Sequence, residues 1–163
     1  MPGSGKSTVG KTAAKRLGLP FVDSDSAIES RAGRSIASLF ASDGEAAFRA
    51  MESDLLVELL DSSRGIVATG GGIVLSAANR EVLLVRAQCV YLRASHALLW
   101  RRLQRDRRRP LLQVADPKTR LRQMLDEREP LYVEAAHHVV ATDHLPFHDI
   151  VAAVVRCARG QTP

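Results

Sequence analysis

The chain has 163 residues, 45% hydrophobic and 25% charged, with a formal net charge of +5 and a pI near 9.8. This is the composition of one globular domain with a sizeable core; no apolar run reaches membrane-spanning length, and no apolar leader precedes the first charged segment. Cys89 and Cys157 lack C-x-x-C spacing and are expected as buried, reduced thiols, which suits the cytoplasm, and the basic balance suits a small anionic substrate plus a nucleotide as well as it suits nucleic acid.

The chain opens on Met1-Pro2-Gly3-Ser4-Gly5-Lys6-Ser7-Thr8, which reads as a phosphate-binding loop running into a helix. Gly3 and Gly5 let successive backbone N–H groups turn inward, and the positive end of the helix completes a nest for polyphosphate. Lys6 is placed to reach the β- and γ-phosphates and the Ser7 hydroxyl to ligate Mg²⁺. In the pattern G-x-x-x-x-G-K-[ST] the first glycine falls just ahead of Met1. The strand that feeds such a loop is therefore expected upstream, with the chain truncated within the loop. The helix continues from Val9 and is closed by Gly18.

Leu19 to Asp23 is a short apolar run ending in acid, read as a strand carrying Asp23 and Asp25 on one side at its end. A helix from about Ala27 to Ala32 follows, ended by Gly33, then a helical turn over Ser35 to Phe40. Ser42-Asp43-Gly44-Glu45 has capping-box spacing and opens a long helix, about Glu45 to Asp61, on which Arg49 and Glu52 are neighbours. Ile66 to Thr69 reads as a buried strand meeting Gly70-Gly71-Gly72 at once. Ser76 caps a helix through Arg86, Gln88 to Leu92 is a strand, and Ser95 caps a helix to Gln104. The segment from Arg105 to Pro117 reads as an arginine-loaded lid. Lys118 to Arg128 is helical, His138 to Thr142 is a strand, and the last helix runs from about His148 to Cys157. Strands alternating with helices predict an α/β fold with a parallel sheet flanked by helices on both faces, in which ligands bind beyond the carboxyl ends of the strands. Asp23 and Asp25, the triple glycine and the loop after Thr142 all fall at such ends.

Acids at a strand–helix junction serve as helix caps, but beside a phosphate loop one of them can support the Mg²⁺ shell while the other holds and deprotonates an acceptor hydroxyl. Arg49 and Glu52 form either a surface ion pair or, turned to the sheet end, a carboxylate-binding arginine oriented by its acid. Gly70, Gly71 and Gly72 allow a ligand to touch backbone N–H groups. Segment 101–109 carries six arginines without the aromatic interleaving of a nucleic-acid module. Closing as a lid, it would exclude water from the transfer. Arg128 is a surface residue or a second anion clamp. His144 and His148 are four apart with no evident third metal ligand.

Taken in order, GSGKST, FVDSD-x-x-IE, GRSIASLFASDGEAAFR-x-x-E, the triple glycine, RPLL and R-x-PLY resemble shikimate kinase over nearly the whole chain. The resemblance implies a P-loop, nucleoside-monophosphate-kinase-like fold with five parallel strands. The first strand, absent from this chain, would lie mid-sheet between those carrying Val67 and Val90. It implies transfer of the ATP γ-phosphoryl group to the 3-hydroxyl of shikimate, in the route to aromatic amino acids. Residue by residue, it implies that Gly3, Ser4, Gly5, Lys6, Ser7 and Thr8 hold the triphosphate. Ser7 and Asp23 serve Mg²⁺. Asp25 is the base, Arg49, Arg128 and the Gly70 to Gly72 backbone grip the carboxylate, Arg109 comes from the lid, and Arg102 and Pro146 flank adenine. The implied partners are ATP and shikimate, without nucleic acid or membrane, in a single cytoplasmic, monomeric domain spanning 1–163. The adenine loop, Asp143-His144-Leu145-Pro146, lacks the basic residue many members carry. Two other readings remain open: a ligand-sensing domain of a transcriptional regulator built on the same fold, and a related small-molecule kinase.

Overall fold

The computed structural model describes residues 1–62, 64–104 and 112–162. Helix α1 (Lys6–Leu17) ends at Gly18, whose φ of 66° closes it in the left-handed conformation expected of a C-terminal glycine. It is followed by β1 (Phe21–Asp23), α2 (Ser24–Ala32), α3 (Ile36–Ser42), α4 (Gly44–Ser62) and β2 (Ile66–Ala68). A 3-10 turn (Ile73–Leu75) then leads into α5 (Ala77–Arg86), β3 (Val90–Arg93), α6 (His96–Leu103), α7 (Pro117–Glu134), β4 (His138–Ala141) and α8 (Phe147–Ala158).

The strands pair in parallel, β1 with β2 and β3 with β4. Each parallel pair needs a crossover, which the intervening helices supply. The register sets Asp23 opposite Ala68 and Arg93 opposite Ala141, so each pair ends its strands together. Among the described residues no ladder joins β2 to β3. A cavity of about 660 Å³ lies between them, lined by Val67 and Ala68 on one side and by Val90 and Leu92 on the other.

Three apolar clusters hold the elements. Leu99, Leu121 and Met124 centre the one joining α6, α7 and α5; Val9, Ala13 and Val151 pack α1 against α8; Leu39, Phe48 and Leu55 join α3 to α4. The α8 stripe Ile150, Val151, Val154 and Cys157 follows the helical repeat, and burial drives its docking.

Several local expectations are corrected. Ser42 closes α3 and does not open α4: its hydroxyl donates to the Ser38 carbonyl at 2.9 Å and accepts from Arg34, while Asp43 pairs with Arg34 at 2.6 Å. Gly44, at φ 82°, makes the corner. Helix α7 continues six residues past Arg128, through Pro130. Proline removes one helical N–H, but burial of Tyr132 carries the helix on. Asp25 is not in an extended segment with Asp23; it lies in the first turn of α2, which Asp23 caps.

Candidate active site

Gly5, at φ 92°, turns the chain into α1, whose first turn carries no acidic side chain and no side-chain cap. The first N–H groups of the helix therefore have no competing anion. Ser4 is buried and donates to the Met1 carbonyl at 3.0 Å, so only its backbone faces the loop. Lys6 Nζ donates to the same carbonyl at 2.9 Å, and exposed Thr8 opens the helix. From α6, Arg102 Nη1 donates to the Gly3 carbonyl at 3.0 Å. The hydrogen bond from Ser95 holds the Asp143 carboxyl below its usual range, with smaller help from the charges of His144 and Arg102, and Pro146 three residues on is exposed.

Asp23 joins this loop to the acids. Its Oδ2 accepts from Ser7 Oγ at 2.5 Å, and its Oδ1 accepts from the Asp25 N–H at 3.1 Å and the Ser26 N–H at 3.4 Å. It is at once a helix cap and the partner of the loop hydroxyl. These are oxygen donors only, as a small hard cation prefers, and they suit Mg²⁺ completing its shell with phosphate and water.

The glycine turn meets both groups. A Cβ on Gly71 would lie 3.5 Å from Pro2 Cδ and 3.5 Å from the Tyr132 hydroxyl. On Gly70 it would fall between Glu52 and Asp25, 2.6 Å from Asp25 Oδ1, and on Gly72 it would overlap the Arg49 guanidinium. No side chain larger than hydrogen fits at 70 or 72 without displacing an ionised group. Ser24, between the two acids, reaches the glycine turn: its Oγ accepts the Gly70 N–H at 2.9 Å.

Arg49 bonds Glu52 through Nη1 and Glu45 through Nη2 at 2.8 Å, and lies over the rings of Phe40 and Phe48 at 5.8 and 5.4 Å. Burial works against its charge, but the bonds to Glu52 and Glu45 prevail and raise its pKa. Glu52 is 3% exposed, and burial pushes its carboxyl above the usual range; Arg49 opposes the shift and the Asp25 charge adds to it. Arg128, 5% exposed, donates through Nη1 to the Gly71 carbonyl at 3.3 Å, beside Tyr132, whose hydroxyl donates to the same oxygen at 2.5 Å. Burial pushes the Tyr132 hydroxyl up to about 12, so it stays a donor. Arg128 Nε is buried with no hydrogen-bond partner among the described residues. A buried guanidinium N–H without an acceptor is costly, and it points to an anionic ligand.

A shikimate kinase family model matches residues 2–159. The chain belongs to the shikimate kinase family. It is 50% identical over 145 residues to the shikimate kinase of Paracidovorax citrulli, covering 88% of this chain and 79% of that one. It is 45% identical over 159 residues to the shikimate kinase of Halorhodospira halophila, covering 98% and 90%. The structure of the shikimate kinase from Acinetobacter baumannii in complex with shikimate superposes with a TM-score of 0.92 at 40% identity, covering 98% of this chain and 89% of that one.

For a family member, the sequence-predicted residues gather well. Ser7, Asp23 and Asp25 are joined by hydrogen bonds, and Asp25, Arg49 and Arg128 all approach the Gly70 to Gly72 turn, while Lys6 and that turn line the same cavity. Arg109 and most of the expected lid lie outside the described residues. Three contributors went unread in the sequence. Ser24 is signalled only by standing between two acids, Tyr132 by lying one helical turn beyond Arg128, and the approach of Glu52 to Asp25 by nothing local.

Proposed function

We propose that this cleft transfers the γ-phosphoryl group of ATP to the 3-hydroxyl of shikimate, with the substrate carboxylate held by Arg49 and Arg128 against the glycine turn. ATP-dependent phosphorylation of shikimate is the activity of the family to which the chain belongs. The observation that carries the residue assignment is the buried Arg128 Nε beside Gly71, partnerless among the described residues, with the Arg49 guanidinium against neighbouring Gly72. Two guanidinium groups on one turn suit a planar carboxylate.

The backbone of Gly3, Ser4, Gly5 and Thr8 binds the triphosphate, and Lys6 exchanges the Met1 carbonyl for phosphate oxygen. Ser7 and Asp23 would hold Mg²⁺, whose chemistry is to neutralise charge on the bridging phosphates. Asp25 orients the acceptor hydroxyl and takes its proton. Arg109, from a lid at about 105–117, neutralises the phosphoryl group in flight, and Arg102 and Pro146 flank adenine. The reading is of one cytoplasmic, monomeric domain over 1–163 without nucleic-acid or membrane partners; no described helix is long and apolar enough to cross a membrane.

We also infer that the slot between β2 and β3 takes one further parallel strand. In support, each strand has an edge facing the cavity with no ladder partner on that side among the described residues. Unpaired buried backbone groups favour such a partner.

The test is a coupled assay of ADP release with and without shikimate, on wild type and Asp25→Asn. Wild-type release should depend on shikimate; the variant should lose transfer by about a thousandfold or more while its MgATP affinity changes little. Equal loss of nucleotide binding would remove Asp25 from the base role. Absence of turnover with tight binding of an aromatic acyl-CoA would favour the sensing domain instead.

A further inference from the structure

The glycine turn has no side chains of its own to hold it, yet the proposed carboxylate site needs it still. Three successive glycines are the most freely moving backbone a chain can offer. Its anchors must come from elsewhere. On the cleft side they are Ser24 on the Gly70 N–H, and Arg128 and Tyr132 on the Gly71 carbonyl. Arg128 is shared with the ligand, so it cannot be the fixed point.

Behind the turn, away from the reacting atoms, α5 supplies two more. Arg80 Nη1 donates to the Val74 carbonyl at 2.8 Å, while its Nε bonds Glu134 at 2.8 Å. Asn79 is 6% exposed, and its Nδ2 donates to the Ile73 carbonyl at 3.2 Å and to Ser53 Oγ at 3.0 Å. Ser53 Oγ in turn donates to the Arg49 carbonyl at 3.0 Å. An amide nitrogen has two hydrogens, and both are engaged. One buried side chain thereby ties the end of the glycine turn to the helical turn that bears Arg49. Between Gly72 and the Arg49 guanidinium there is no room for even a Cβ.

We infer that Asn79 is a positioning residue for recognition of the substrate carboxylate: its amide, relayed by Ser53, sets the Arg49 helix against the glycine turn. It touches no ligand and acts only through these two elements. The inference rests on the proposed placement of the shikimate carboxylate.

Asn79→Asp keeps the shape but removes both donors, and sets a carboxylate against the Ile73 carbonyl. Steady-state kinetics should show the shikimate KM raised about tenfold, with kcat and the MgATP KM within about twofold of wild type. Ser53→Ala, which cuts only the relay to Arg49, should raise the same KM about threefold. Leu83→Ala, on the same helix and 8% exposed, should lower Tm yet leave the shikimate KM in place. With a shikimate analogue bearing CH₂OH for the carboxylate, wild type and both polar variants should share one KM. Asn79 is purely structural, and the inference overturned, if the penalty persists with that analogue or if Leu83→Ala raises the shikimate KM equally. Should Asn79→Asp not fold, an unchanged KM in Ser53→Ala overturns it. Should wild type not turn over shikimate, the proposed activity fails separately. Calorimetric shikimate affinity then decides Asn79, equal Kd values counting against it.

Discussion

Gly72→Ala separates the Arg49 guanidinium from every other part of the site. Gly72 sits at φ −95° and ψ −8°, outside the left-handed region, so alanine is allowed there and the backbone can stay in place. The new Cβ overlaps Arg49 Nη1 and Cζ and lies 2.6 Å from Nη2. The obstacle is the far end of a flexible side chain, so the guanidinium gives way and leaves the turn. Hydrogen bonds to a charged group contribute about 1.5–3 kcal/mol. Loss of Arg49 from the carboxylate should then raise the shikimate KM by about 10- to 150-fold. The three atoms nearest the new Cβ all belong to Arg49, so the larger effect should fall on KM rather than on kcat. The assay is coupled ADP release at saturating MgATP with shikimate varied, run beside thermal melts. Glu52 supplies a second signature. It is 3% exposed and loses its cation, so the melting deficit should be larger at neutral pH than in acid, where the carboxyl takes up a proton. An unchanged shikimate KM in a folded variant would refute the placement of Arg49.

Glu52→Gln gives a pH test with a defined sign. Burial raises the Glu52 carboxyl above its ordinary 4.5, so between the unfolded and folded values the native state holds more protons, and stability falls as pH rises through that window. The Tm of the variant minus that of wild type should increase from pH 4.5 towards neutrality; a difference that shrinks would contradict the assigned shift. For the sheet, adding an apolar strand-forming segment ahead of Gly3 should raise Tm by about 5 °C or more, since each new ladder bond contributes about 1 kcal/mol. An unmoved melt would mean the slot does not take a strand.

How much of the site was legible depends on how local its cause was. Gly5-Lys6-Ser7 could be read at once, because a left-handed glycine and a helix start are set within a few residues. The Arg49–Glu52 pair followed from a three-residue helical spacing. The pair Asp23 and Asp25 was found, but with the wrong geometry. Periodicity could not tell that the Asp23 carboxylate would cap a helix already containing Asp25, where 3.6-residue spacing replaces alternation. Ser42 carried a capping signal that lost to competing local bonds with Ser38 and Arg34. Pro130 carried a stop signal that lost to the burial of Tyr132.

The sequence by itself determined the kinds of element, most of their order and the glycine turn into the first helix at Gly5-Lys6-Ser7. Those depend on propensities, caps and spacings that act over one or two turns of chain. Only the tertiary structure decided that Glu52 faces Asp25 across Gly70, that the Arg49 guanidinium occupies the space a Cβ on Gly72 would need, and that Arg128 Nε is buried without a partner among the described residues. These join residues from distant parts of the chain. Their distances are fixed by the packing of α2, α4, α5 and α7 around one turn, a sum of many small contacts that no local pattern encodes.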